Sequence, residues 1–132
     1  MNFKLEQQFS IEKFEAGQID PEHFDHAAHV YVAWLYVNRY GADAGLPRFD
    51  RALRRLTERL GVPDKYHATI TGFLLTLIAQ RVADNDTWSE FRTNNADLIV
   101  DCRSVLSSYY SDSCLNSLSA RRQFVQPDCR TV

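Results

Sequence analysis

Between Asp25 and Gly41 runs a segment that is apolar on nearly every side: Val30, Tyr31, Val32, Ala33, Trp34, Leu35, Tyr36 and Val37 follow one another without a charge. Asp25 is placed to cap a helix that starts at His26, and Gly41 to close it after Tyr40. A helix apolar all round has no face to give to water, so it must lie at the centre of a domain with other elements packed around it. The 132 residues are enough for one such domain, spanning 1–132, and 45% hydrophobic content supplies the wrapping. Only 5 glycines and 4 prolines are present, too few for a chain dominated by loops.

The wrapping elements are helical as well. A first helix is predicted over Gln7–Ala16, stopped by Gly17, and Asp20-Pro21-Glu22 reads as one capped turn. A third helix is expected from about Asp43 to Leu60. Pro47 disfavours its first turn, so the regular part is expected from there. Phe49, Leu53, Leu56 and Leu60 recur on it at the helical period. Gly61-Val62-Pro63 forms a turn, and Asp64 is predicted to cap a fourth helix from Lys65 to about Val82. Residues 83–86 read as a loop, and Thr87-Trp88-Ser89-Glu90 matches a capping box that opens a short fifth helix. A sixth is expected from Asp97 to about Tyr110. Ser119 is expected to cap a last turn through Phe124, with Pro127 stopping it. No stretch alternates with period two for long enough to make a sheet. The expectation is an all-α bundle of five to seven helices.

Several function classes drop out. There is no glycine-rich phosphate loop, no nucleophile elbow and no Glu-x-x-His pair of the kind a di-iron bundle requires. Fifteen basic side chains against 17 acidic give a net charge of −2, so no global field favours nucleic acid or an anionic membrane. Neither Val30–Val37 nor Ile70–Ala79 approaches the roughly 20 apolar residues of a membrane span. The N-terminus lacks the apolar core of a signal peptide. Cys102, Cys114 and Cys129 make an odd count with no Cys-x-x-Cys, which fits reduced thiols in a cytoplasm.

The chemistry-bearing residues gather in the first half. His26 and His29 are three apart at the start of the central helix and therefore share a face, roughly 5–6 Å apart at Cβ. His67, read as lying in the first turn of the fourth helix, completes a three-His cluster if the two helices pack together. Three neutral imidazoles with an open position suit a divalent metal such as Zn²⁺ or Fe²⁺, with Asp25 or Asp128 as a further oxygen ligand. Without a metal, the same imidazoles serve as acid–base or ligand-binding groups, since they titrate near neutrality. The plainer reading is that they are structural. His23 precedes the capped helix and is expected to be exposed.

Three segments together resemble a family of small, uncharacterised bacterial all-helical proteins. They are Phe24-Asp25-His26-Ala27-Ala28-His29, then Tyr66-His67-Ala68-Thr69-Ile70-Thr71, then Arg121-Arg122-Gln123-Phe124-Val125-Gln126-Pro127-Asp128. The likeness spans about residues 20 to 130 and follows the family's order of Phe-x-His-x-x-His, Tyr-His-x-Thr-x-Thr and Arg-Arg-x-Phe-x-x-Pro-Asp. It implies that His26, His29 and His67 act together, but it supplies no reaction. Members often carry an acidic residue after Tyr-His where this chain has Ala68. If that acid takes part in chemistry, this chain lacks it.

Two function classes follow. In the first, the protein is a small enzyme or ligand binder in which a metal polarises a carbonyl or activates water and Tyr66, Thr69 or Thr71 position the substrate. In the second, it is a non-catalytic helical protein that self-associates, with structural histidines. Arg121, Arg122 and Asp128 either close a pocket over an anionic ligand or pin the tail, and tail anchoring is the simpler expectation. Arg48, Arg51, Arg54, Arg55 and Arg59 against Asp50 and Glu58 leave +3 on twelve residues, most simply a solvated helix face. Trp34, Tyr36, Tyr109 and Tyr110 are expected in the core.

Overall fold

The computed structural model describes residues 5–84 and 86–129, all helical or irregular, with no strand among them. Asn85, within the predicted 83–86 loop, lies outside the described residues. Among the described residues nine α-helical segments occur, more than the expected five to seven because predicted helices are split: α1 Leu5–Gln8, α2 Ile11–Ala16, α3 His26–Arg59, α4 Ala68–Arg81, α5 Trp88–Asn94, α6 Ala96–Val100, α7 Cys102–Ser107, α8 Asp112–Leu115 and α9 Leu118–Arg122. Short 3-10 turns at Pro21–His23 and Pro63–Lys65 complete the set. No helix is long and apolar enough to cross a membrane, among the described residues.

The central helix forms as the sequence predicts. The Asp25 carboxylate accepts the Ala28 N–H at 2.9 Å, and Ala28, Val30, Val32, Ala33 and Tyr36 are wholly buried. Its end at Gly41 is a kink and not a stop. Gly41 takes φ 77°, ψ 174°, a positive-φ extended conformation that costs any residue with a Cβ. The chain then turns back at once into a second helical arm. Gly45 lets the arms close on each other, since a Cβ there would sit 3.0 Å from the Tyr36 carbonyl oxygen. Pro47 falls inside this arm and not at its start. The carbonyl that its missing N–H would have served belongs to exposed Asp43, which water can reach.

Elsewhere the helix boundaries differ from expectation. Ser10 caps α2 by accepting the Lys13 N–H, which splits the predicted first helix in two. Asp101 leaves the helical region, at φ −141°, ψ 35°, so the predicted sixth helix becomes α6 and α7, the latter ending at Ser107. The last turn is capped by Ser117, not Ser119, and ends at Arg122. Most consequential is the fourth helix. Pro63 starts a separate 3-10 turn, Tyr66 is extended, and α4 begins at Ala68 with His67 as its cap. The Thr87–Glu90 capping box is present with both of its hydrogen bonds.

Packing of α3 on α4 is the most extensive contact in the molecule, and α2 and α9 flank it. Aromatic rings fill the seams. Phe14, Tyr36 and Phe49 meet at centroid separations of 5.3–6.2 Å. Trp34 and Trp88 meet at 5.6 Å, and Phe73 packs on Tyr109 and Tyr110 at 4.8 and 5.1 Å. The expected core aromatics are therefore in or against the core.

Candidate functional site

The kink in α3 turns its second arm back beside the start of the first, and α4 closes the third side. Between them lies a cavity of about 460 Å³. The start of α3 contributes Phe24, Asp25, His26 and His29. The second arm adds Leu53, Leu56, Thr57 and Leu60, and the α4 entrance adds His67, Ile70 and Thr71. His26, His29 and His67 thus share one cavity. Lys65 stands at its edge and is exposed.

Each imidazole has a different environment. His26 donates from Nε2 to the Leu98 carbonyl at 2.8 Å. His67 uses both nitrogens: Nε2 donates to the Leu115 carbonyl at 2.8 Å, and Nδ1 accepts the Ile70 N–H at 3.2 Å. Those two bonds fix a neutral ring with its proton on Nε2. His29 lies between Phe24 and Phe49, at ring separations of 5.9 and 5.5 Å. Its Nε2 is buried without a partner among the described residues. Burial, and then the neighbouring charge of His26, push its pKa down to about 4, so it is uncharged at neutral pH.

A metal fits this arrangement poorly. A ligating imidazole needs a free lone pair, and His67 has none in this conformation because Nδ1 is already accepting. His67 would have to give up the Ile70 N–H, whereas His26 keeps Nδ1 free while Nε2 holds the Leu98 carbonyl. Among the described residues, no group of three or more His, Cys, Asp or Glu side chains is placed to hold a metal ion. Asp25 lines the cavity but is occupied as the α3 cap, and Asp128 lies elsewhere, accepting from Ser111 N–H and Oγ–H at 2.8 and 2.6 Å.

The remaining nominated residues separate. Thr71 is on the cavity wall and buried. Thr69 is wholly buried on another side of α4, where its hydroxyl donates to the Gln123 carbonyl at 3.1 Å and accepts the Val125 N–H at 3.1 Å. Tyr66 faces a second cavity of about 560 Å³, with Asp50, Arg54 and Phe124. Its hydroxyl donates to Asp50, and the Arg54 guanidinium lies 4.4 Å over its ring. Burial and the Asp50 carboxylate raise the Tyr66 pKa well above the usual phenol range.

The Arg-Arg…Pro-Asp segment contacts the protein itself. Arg121 donates to the Asp64 carbonyl, and the Arg122 carbonyl accepts from Arg54 at 3.3 Å. None of Arg121, Arg122 and Asp128 lines the histidine cavity. In the arginine run, Arg54 pairs with Asp50 at 2.9 Å, Arg59 donates to the Ala16 carbonyl at 3.0 Å, and Arg48 lies 4.4 Å over Tyr40. His23 is exposed as expected, 3.7 Å from Asp20, and does not line the cavity.

Sequence reasoning missed the Leu98 and Leu115 carbonyls, which orient two of the three imidazoles. It also read Leu53, Leu56 and Leu60 only as core. Their helical spacing was visible, but their facing the histidines depends on the fold-back at Gly41. Comparison with protein-family models, with curated proteins and with solved structures finds no match to this chain.

Proposed function

We propose that this protein binds a compact, largely apolar small molecule in the histidine-lined cavity, with His29 acting as a neutral hydrogen-bonding group. The observation that carries the reading is His29. It is an uncharged ring with an unpartnered buried nitrogen, in the wall of a cavity of about 460 Å³ that is otherwise mostly hydrophobic. An unpaired buried nitrogen costs about 1–3 kcal/mol, which a ligand supplying the missing partner would recover. Cavities of a few hundred Å³ with apolar walls and a few placed polar groups are the usual form of small-molecule sites. The first two segments of the family resemblance also meet at this cavity, which supports a shared role for their histidines.

The test is a screen of small heteroaromatic and short-chain apolar fragments by ligand-observed NMR. Hits should shift the ring signals of His29, and His29→Phe, which keeps shape and burial, should weaken them at least tenfold. Binding unaffected by His29→Phe, or no fragment binding at millimolar concentration, overturns the reading. A parallel measurement of Zn, Fe, Mn and Ni per chain addresses the metal-dependent alternative. Near one equivalent, lost in both His26→Ala and His67→Ala, would favour that alternative.

A further inference from the structure

We propose that Cys114 and Cys129 are a disulfide-forming pair that fastens the C-terminal tail to α8. Both cysteines are attached to one hydrogen-bonded link. Ser111 Oγ accepts the Cys114 N–H at 3.1 Å and donates to Asp128 Oδ2 at 2.6 Å. The other Asp128 oxygen takes the Ser111 N–H at 2.8 Å and lies 3.8 Å from Cys129 Sγ. The Cys129 N–H in turn donates to the Tyr109 carbonyl at 2.9 Å, just ahead of α8. The reduced protein thus already holds residue 129 beside Tyr109 and Ser111, one helical turn from residue 114, the neighbourhood that a disulfide's short span requires. Cys129 is exposed and open to an incoming disulfide, whereas Cys114 is half-buried and suited to the second, internal step.

The reaction is a thiol–disulfide exchange with a disulfide donor such as oxidised glutathione. The Cys129 thiolate attacks one glutathione sulfur, the glutathione S–S bond breaks, and one glutathione leaves as the thiol. The Cys114 thiolate then attacks Cys129 Sγ and displaces the second glutathione. Two electrons pass from the protein to glutathione, and the two cysteine protons leave with its thiols. Asp128 restrains the rate. Loss of water contact and then this carboxylate raise the pKa of both thiols, and each ionised thiol would further oppose the other at Cys114. The pair is accordingly slow to oxidise.

The bond would reach the cavity. α8 also carries the Leu115 carbonyl that holds His67 Nε2, one residue from Cys114. Fixing α8 to the tail holds that carbonyl in place, so oxidation should steady the His67 ring.

The full-length chain is equilibrated in glutathione buffers of increasing oxidised fraction, quenched by alkylation and mapped without reduction. The expected result is a monomer that has lost two hydrogens, a peptide linked through Cys114 and Cys129, and Cys102 still alkylated. Amide exchange over residues 123–129 and exchange of the His67 ring N–H should both slow several-fold, and Cys114→Ser and Cys129→Ser should each abolish the link. Glutathione left on Cys129 with no internal link, a link to Cys102, or covalent dimers would overturn the pairing. An internal link that leaves His67 exchange unchanged would overturn the coupling to the cavity.

Discussion

Replacing Thr69 by Val removes one oxygen from the first turn of α4 while keeping the side chain's shape. That oxygen has two partners, the Gln123 carbonyl and the Val125 N–H, both at 3.1 Å, and Thr69 itself is wholly buried. Each lost hydrogen bond costs about 1 kcal/mol net, and a buried group left unpaired adds up to about 1–3 kcal/mol. Both tail groups are partly reachable by water, which limits the added cost, so Thr69→Val should destabilise by about 2–3 kcal/mol. For a chain of this size that lowers Tm by roughly 6–12 °C. Thr69→Ser keeps the oxygen and loses only a methyl group, so it should fall about halfway. The tail would still be held by Tyr110, whose hydroxyl donates to the Val125 carbonyl at 2.7 Å, and by Asp128. The domain should therefore stay folded at 25 °C while residues 123–126 lose amide protection. Urea unfolding followed by circular dichroism measures the first quantity and hydrogen exchange the second. A Thr69→Val protein within about 0.5 kcal/mol of the parent, or a Thr69→Ser protein just as damaged, would refute the account of Thr69 as the tail's clip.

His29 should make stability fall with acidity. Its folded pKa of about 4 lies below the ordinary 6.5, so the unfolded chain binds the extra proton first, and stability is lost as pH drops from about 6.5 towards 4. The difference amounts to about 3 kcal/mol; His29→Phe should flatten that slope, and a His29 titration midpoint at or above 6 by NMR would contradict it. His67→Ala leaves the Ile70 N–H without its cap and the Leu115 carbonyl without its donor, for a loss of about 2–3 kcal/mol. Asn at 67 should recover the cap alone, which urea titration of the two variants would show. Gly41→Ala should cost about 1–3 kcal/mol through the positive-φ backbone only, since nothing stands within 4 Å of the added Cβ. Gly45→Ala should cost more, because the Cβ meets backbone at 3.0 Å; the reverse order in thermal melts would refute the close-approach argument.

Local chemistry was legible where donor and acceptor lie within a few residues. Asp25, the Thr87–Glu90 box and the break at Gly41 all belong to this class, and each formed where the sequence placed it. His67 was misplaced because two caps competed for the start of α4. Asp64 looked the better one by residue type, but Pro63 fixes a separate turn and the imidazole reaches the Ile70 N–H. Asp101 could not be foreseen as a break, since its neighbours fit a helix and α6 and α7 depart from each other only at that residue's backbone. The histidine cluster was legible as a set of residues sharing a cavity, while its chemistry was not. The partners of His26 and His67 are carbonyls 72 and 48 residues away, and a carbonyl leaves no mark in residue type. For the same reason Thr69 and Thr71, two apart, looked equivalent, although one clips the tail and the other lines the cavity.

Holding two cavity imidazoles by main-chain oxygens has a consequence for how this site can change over time. The aim of His26 and His67 depends on the path of the backbone at residues 98 and 115, and every residue type there would present the same oxygen. Single substitutions at the half-buried position 115 should leave the His67 ring in place. Loss or gain of one residue between 98 and 115 would shift a carbonyl and release a ring. A site of this kind tolerates exchange of letters and resists change of length, so new ligand preferences would arise most easily from Leu53, Leu56, Leu60 and Ile70 around a fixed polar frame.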